Sequence, residues 1–259
     1  MIFGRNRNVR HEQVALPEQL KDERDRLVEA RPAPAAEGDR GPFDVEAAPS
    51  GRPSVDLGAL RVPAVQGMQL RLDVEDATQR IVAVTVTLER SALQIQAFSA
   101  PRAAGVWDDL RAEIKEALVG TPGAQVQEQS GGFGPEVLTR IPATLPDGSP
   151  GWNVARFVGV DGPRWFVRGV FHGEAAYLPD AARALEDVFA GVVVVRGDAP
   201  LPPRELLPLR PPADAQPVRR RPRPQAAGEP DVHAHRPDDA PETGAETLPK
   251  RGPEITEIR

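Results

Sequence analysis

Ten of the chain's twelve aromatic residues lie between Ser54 and Asp198, and none follows Asp198. A core needs large apolar side chains, because burial stabilises by only about 25 cal/mol per Å² of apolar surface. The 259-residue chain therefore holds the material for one globule, expected over residues 54–198. The last 61 residues contain 14 prolines and too little apolar surface to offset the entropy of ordering. Residues 199–259 are accordingly expected as a proline-rich disordered tail. Residues 1–53 are expected as a mostly disordered arm with a short helix at 17–30. Pro17 suits a first helical position there, and charges of both signs alternate after it. That helix is read as solvated, with docking on a partner or a second copy as the alternative.

Periodicity sets the fold class of the middle. Leu57 to Val62 and Met68 to Val74 read as short strands, and the β-branched run Arg80 to Glu89 as a longer one. In Ala92 to Ala100, Leu93, Ile95 and Ala97 alternate with Gln94 and Gln96, the mark of a strand with one buried face. The period then changes. Trp107, Leu110, Ile114 and Leu118 recur at three- and four-residue steps, as do Ala181, Ala182, Leu185, Val188 and Phe189, so two amphipathic helices are expected. Further strands are read at Glu136 to Ala143 and on either side of Asp161-Gly162, a hairpin signal. Val154, Val158, Val160, Trp165, Val167 and Phe171 form its expected core face, leaving Phe157, Arg164, Phe166, Arg168 and Val170 on the other. These elements predict an α+β domain, mainly an antiparallel sheet with two amphipathic helices packed on one side of it, in a PsbP-like layout.

Composition removes several chemistries. The chain has no cysteine, hence no disulfide, thiolate nucleophile or thiolate metal site. No apolar run approaches the roughly 18 residues of a membrane span, and the basic N-terminus lacks an apolar signal core, so a cytoplasmic protein without membrane contact is expected. Residues 54–198 carry 13 basic and 18 acidic side chains, a net charge of −5 that suits a nucleic-acid surface poorly. The Arg219 to Pro224 run is a basic stretch of the tail, and it is read as solvated, so nucleic-acid binding is not expected.

No nucleophile–base set, HExxH or phosphate-binding loop is present, so no catalytic residue and no cofactor are assigned. His172 is the one histidine of the expected domain, while His11, His233 and His235 lie in the arms. The pair His233 and His235 lacks a third ligand, and the acids Asp73, Asp76, Asp108 and Asp109 fall near turns and a helix start, so no metal site is assigned. The segment Pro200 to Arg204 reads as a stiff strap on the domain or a lead into the tail, with polyproline recognition as the alternative. The binding candidates are Arg164, Trp165, Arg168 and His172. With Phe166 between them, Arg164 and Arg168 would lie about 13 Å apart on one strand face and hold a small anionic ligand if that face is open. The competing expectation is that helices cover the face and the arginines reach its rim.

The stretch FVGVDGPRWFVRGVF (Phe157 to Phe171) resembles the signature of an uncharacterised actinobacterial domain-of-unknown-function family. GPFD (Gly41 to Asp44), APRAAGVW (Ala100 to Trp107), GGFGPEV and VVRGDAPLPPRELLPL (Val194 to Leu209) follow the same pattern. The resemblance covers roughly residues 41–209 and implies no activity, cofactor or catalytic residue. It implies genes often placed near a dUTP hydrolase gene, an association with nucleotide or DNA metabolism. The expected function is a non-catalytic binding or adaptor module with a protein partner. An enzyme or sensor for a small anionic ligand such as a nucleotide is the second reading, and a nucleic-acid accessory protein acting through the basic tail the third.

Overall fold

Alternating runs become strands, and short turns between them favour antiparallel pairing. The computed structural model describes residues 9–14, 40–102, 105–145 and 147–213. In chain order the strands are β1 (Val9–Val14), β2 (Phe43–Asp44), β3 (Ser54–Asp56), β4 (Leu60–Pro63), β5 (Gln69–Glu75), β6 (Ile81–Leu88) and β7 (Ser91–Ser99). Helix α1 (Trp107–Val119) follows, then β8 (Gln125–Gly131), β9 (Gly134–Thr144), β10 (Pro150–Gly162) and β11 (Trp165–Gly173). Helix α2 (Pro179–Ala190) and β12 (Val193–Val194) complete the series. Eight strands form one sheet in the order β1-β5-β6-β7-β11-β10-β9-β8, with every neighbouring pair antiparallel. The order β2-β12-β4-β3 forms a small second sheet. The α+β class and the mainly antiparallel sheet with two helices are as the periodicity indicates. The possible helix at 17–30 and the residues from 214 onward lie outside the described residues.

The helices do not share a face. Leu93, Ile95, Val167 and Phe171 point to one side of the sheet, where Leu185, Val188 and Phe189 of α2 and Leu60 and Val62 of the small sheet cover them. Phe98, Val137 and Phe166 point to the other, under Trp107, Leu110 and Ile114 of α1. The reason is that the central strands β7 and β11 carry large apolar side chains on both faces, and each apolar face must be covered. Gly159 permits α1 to seat closely, since a Cβ there would come within 2.4 Å of the Trp107 ring.

Asp161 secures the start of α1 from a distant part of the chain. Its Oδ1 accepts from the Val106 N–H at 2.7 Å and its Oδ2 from the Trp107 N–H at 3.3 Å. A carboxylate at a helix N-terminus satisfies donors that have no intrahelical partner and complements the helix dipole. Asp161 belongs to β10 rather than to the turn. The β10–β11 turn has Pro163 and Arg164 at its centre, with Gly162 paired to Trp165 and Arg164 at φ 60°.

The fold also extends past the span that aromatic content marks out. Phe43 and Asp44 pair in parallel with Val193 and Val194. Residues 199–213 form a strap along the domain. The Ser99 and Leu207 N–H groups donate to Glu205 O at 2.8 Å and Ala97 O at 2.9 Å, and the Arg210 N–H to Leu57 O at 2.9 Å. The β6–β7 pairing starts at Val84 and Ile95, so the strap occupies the place beside the end of β7 that β6 leaves vacant. Arg204 anchors it further, donating to Asp109 at 2.9 Å and to Glu113 on α1. Leu207 is only 1% exposed and belongs to the core shared with α2. Leu207→Ala is therefore expected to lower unfolding free energy by about 2–3 kcal/mol, read by urea denaturation. A change within experimental error would show the strap to be an accessory.

Candidate functional site

The four sequence candidates are not one site. Arg164 occupies the β10–β11 turn, where its carbonyl accepts from the Ala100 N–H at 2.9 Å and from Arg196 Nε at 3.2 Å. Trp165 points to the α2 side, is 2% exposed, and donates from Nε1 to Asp44 Oδ2 at 2.8 Å. Arg168 and His172 point to the α1 side. Phe166, read as lying between two arginines if that face is open and under a helix otherwise, is fully buried under α1 and lies 6.0 Å centroid to centroid from both Phe98 and Trp107. The aromatic spacing that made the hairpin recognisable thus serves packing, and Arg164 and Arg168 do not flank a shared ligand space.

Arg168 nevertheless belongs to an organised polar region. It is buried beside α1, donates to the Gln96 side chain, and lies with its guanidinium 5.7 Å from the Phe98 ring centre. Burial pushes it down to about 10, which leaves it charged at neutral pH. Three strands away, on β5, Asp73 is 1% exposed and receives four donors. His11 Nδ1 stands 2.7 Å and Arg71 Nε 3.2 Å from its Oδ1, while Thr85 Oγ1 and Gln94 Nε2 stand 2.9 and 2.8 Å from its Oδ2. Strand register builds this cluster: His11 is opposite Asp73, and Arg71, Thr85, Gln94 and Val170 follow one another across four strands. The acceptor capacity of Asp73 is filled, so it holds His11 and Arg71 in place rather than acting as a free base. His11 and Arg71 keep 45% and 41% of their side-chain surface, which makes them the groups of the cluster that a partner would reach.

Sequence reading missed this cluster because its members belong to four strands. The available signal was a charged pair, Arg71 and Asp73, at alternating positions of one strand and the two glutamines at the same positions of another. Asp73 and Asp76, considered together as ion ligands, are separated: Asp73 is buried, and Asp76 lies in the exposed β5–β6 turn. Among the described residues, no group of three or more histidine or acidic side chains is placed to hold a metal ion.

A second charged cluster lies on the α2 side. Arg156 is buried over the Phe171 ring at 4.3 Å, with Glu136 at 3.2 Å and Glu186 at 2.8 Å. Glu136 is 1% exposed. Every charge here has a partner within the cluster, which points to structure rather than to binding.

His172 carries a pH signature. Burial, reinforced by the charge of Arg71, holds its imidazole below the ordinary histidine value. The unfolded chain takes up this proton first as pH falls, so His172 contributes stability that is complete above about pH 6.5 and is lost as pH drops toward its folded value. His172→Gln is expected to flatten the dependence of urea stability on pH between about 7 and 5.5. An unchanged slope would remove His172 as its source.

A family model described as Protein of unknown function (DUF3710) matches residues 41–217. The chain belongs to this family. No curated protein and no solved structure matches it. The DUF3710 span includes Asp73, Thr85, Gln94, Arg168 and His172, whereas β1 with His11 precedes it. The Asp73 cluster therefore joins the DUF3710 domain to a strand outside the matched residues. No helix among the described residues is long and apolar enough to cross a membrane.

Proposed function

We propose that this chain is a non-catalytic protein-binding module, an adaptor acting in the cytoplasm of an actinobacterium. The observation that carries the reading is the open form of the large sheet. β1 and β8 each have a single neighbour among the described strands, so each presents a row of main-chain donors and acceptors. Seven-residue β8 contains neither proline nor lysine, residues that commonly protect such an edge. Extended segments of other proteins add to edges of this kind, with main-chain hydrogen bonds supplying affinity and neighbouring side chains specificity. The gene neighbourhood implied by the sequence resemblance supports a partner in nucleotide or DNA metabolism. The PsbP-like layout belongs to the same reading, as a sheet backed by helices that leave its two edges free.

The test is capture of partners by the full chain, followed by reconstitution with the purified candidate. A stoichiometric complex with a defined protein is the expected result. A chain that remains alone at every salt concentration, while a thermal-shift screen shows tight stabilisation by a nucleotide or phosphorylated metabolite, would replace the adaptor reading with the small-ligand one.

A further inference from the structure

Between β1 and the strap lies a half-open cleft of about 410 Å³. Val74 of β5 and Ile81 of β6 form its floor, and Leu209 of the strap forms an apolar wall. Arg10 of β1, Arg80 beside β6 and Arg210 of the strap stand around it, with Glu12 as the single acid of the lining. Arg10 is occupied by Glu12 at 2.8 Å and by the Gln79 side chain at 3.1 Å. Arg80 is half exposed and 3.8 Å from Glu205. Arg210 is exposed and makes no side-chain ion pair among the described residues. Its stem crosses Gly58, where a Cβ would come within 2.8 Å, so the absence of a side chain at Gly58 seats Arg210 close to the backbone.

We propose that this cleft docks an extended acidic segment of a partner protein. The proposal rests on the adaptor reading and names a surface and a partner chemistry for it. Two observations on the cleft select the occupant. Its walls are themselves extended chain, the β1 residues Arg10 and Glu12 on one side and strap residues 208–211 on the other, which suits an extended peptide lying between them. Its lining carries three arginines against one glutamate, on a domain whose residues 54–198 have a net charge of −5, so the positive character is local to this place. An extended peptide in the cleft turns every second side chain toward its floor. Apolar side chains on that side meet Val74, Ile81 and Leu209, and the carboxylates that alternate with them point outward to the rim, where Arg80 and Arg210 are exposed and guanidinium geometry favours paired hydrogen bonds.

The experiment measures fluorescence anisotropy of a labelled synthetic peptide alternating glutamate and valine, with its lysine–valine counterpart as control, against the full chain. The acidic peptide is expected to bind, and binding should weaken as salt screens the exposed arginines. The R80E/R210E variant, which replaces only exposed side chains, is expected to keep the wild-type melting temperature and to lose affinity by at least about tenfold. Equal binding of both peptides, no binding at low salt, or wild-type affinity in the variant would overturn the proposal. A full chain carrying D238N, D239N and E242Q in its C-terminal segment is expected to bind the peptide as the wild type does. If it binds about tenfold more tightly, the chain's own acids compete for the cleft and the partner assignment is overturned. If the peptide fails while the full chain still forms a stoichiometric complex with a captured protein, the adaptor reading stands and this surface is not its basis.

Discussion

Arg156→Ala is expected to lower unfolding free energy by about 3–5 kcal/mol, because it strands a buried carboxylate. Glu136, 1% exposed, has its Oε2 3.2 Å from Arg156, and the other neighbouring side chain donor, Gln129, is longer at 3.4 Å. The loss of packing over Phe171 adds to the cost. The effect is the penalty of an unpaired charge and not the value of the pair. Removing both charges, as Glu136→Gln with Arg156→Met, is therefore expected to recover most of the loss. Glu186 keeps Arg40 at 3.8 Å in that variant. Urea denaturation of the two variants decides the matter: a single-variant cost below about 1 kcal/mol would mean that water reaches Glu136.

Trp107→Ala is expected to cost a similar amount, about 3–5 kcal/mol, by a different route. Trp107 fills the space over Gly159, stacks on Phe166, and donates from Nε1 to Pro135 O at 2.7 Å. Truncation opens a cavity between α1 and the sheet and leaves the Pro135 carbonyl without that donor. Trp107→Phe keeps one ring but loses the hydrogen bond and part of the packing, so about 1–2 kcal/mol is expected. Comparable losses for the two variants would show that the hydrogen bond, and not the ring, holds α1 down. A loss below about 1 kcal/mol for alanine would show that α1 is anchored elsewhere.

What the sequence disclosed and withheld follows from the range of each signal. Strand alternation and helical period are local, so Leu93, Ile95 and Ala97 and the inward residues of α2 are legible from neighbours alone. Which face α1 covers is not local. Phe98 and Phe166 come from strands more than sixty residues apart, and only their pairing reveals a second apolar face. Asp161 read as a turn residue because Asp-Gly is a strong hairpin signal, yet its carboxylate serves the start of α1. The Asp73 cluster was hidden for the same reason: each member is an ordinary polar residue of its own strand until register aligns four strands. Aromatic content placed the domain boundary, and it overlooked Leu207 because the strap contributes leucines between prolines instead of rings.

The strap also sets an order of events during synthesis. Leu207 joins Ala97 across 110 residues, and β12 joins β2 across 150. Contacts of such long separation in sequence slow folding, because the entropy of closing a large loop is spent before the contact forms. A nascent chain that has already released β5, β6 and β7 from the ribosome must hold the end of β7 uncovered until residue 207 emerges. That interval, rather than the finished protein, is when the apolar faces of these strands are most open to aggregation or to a chaperone.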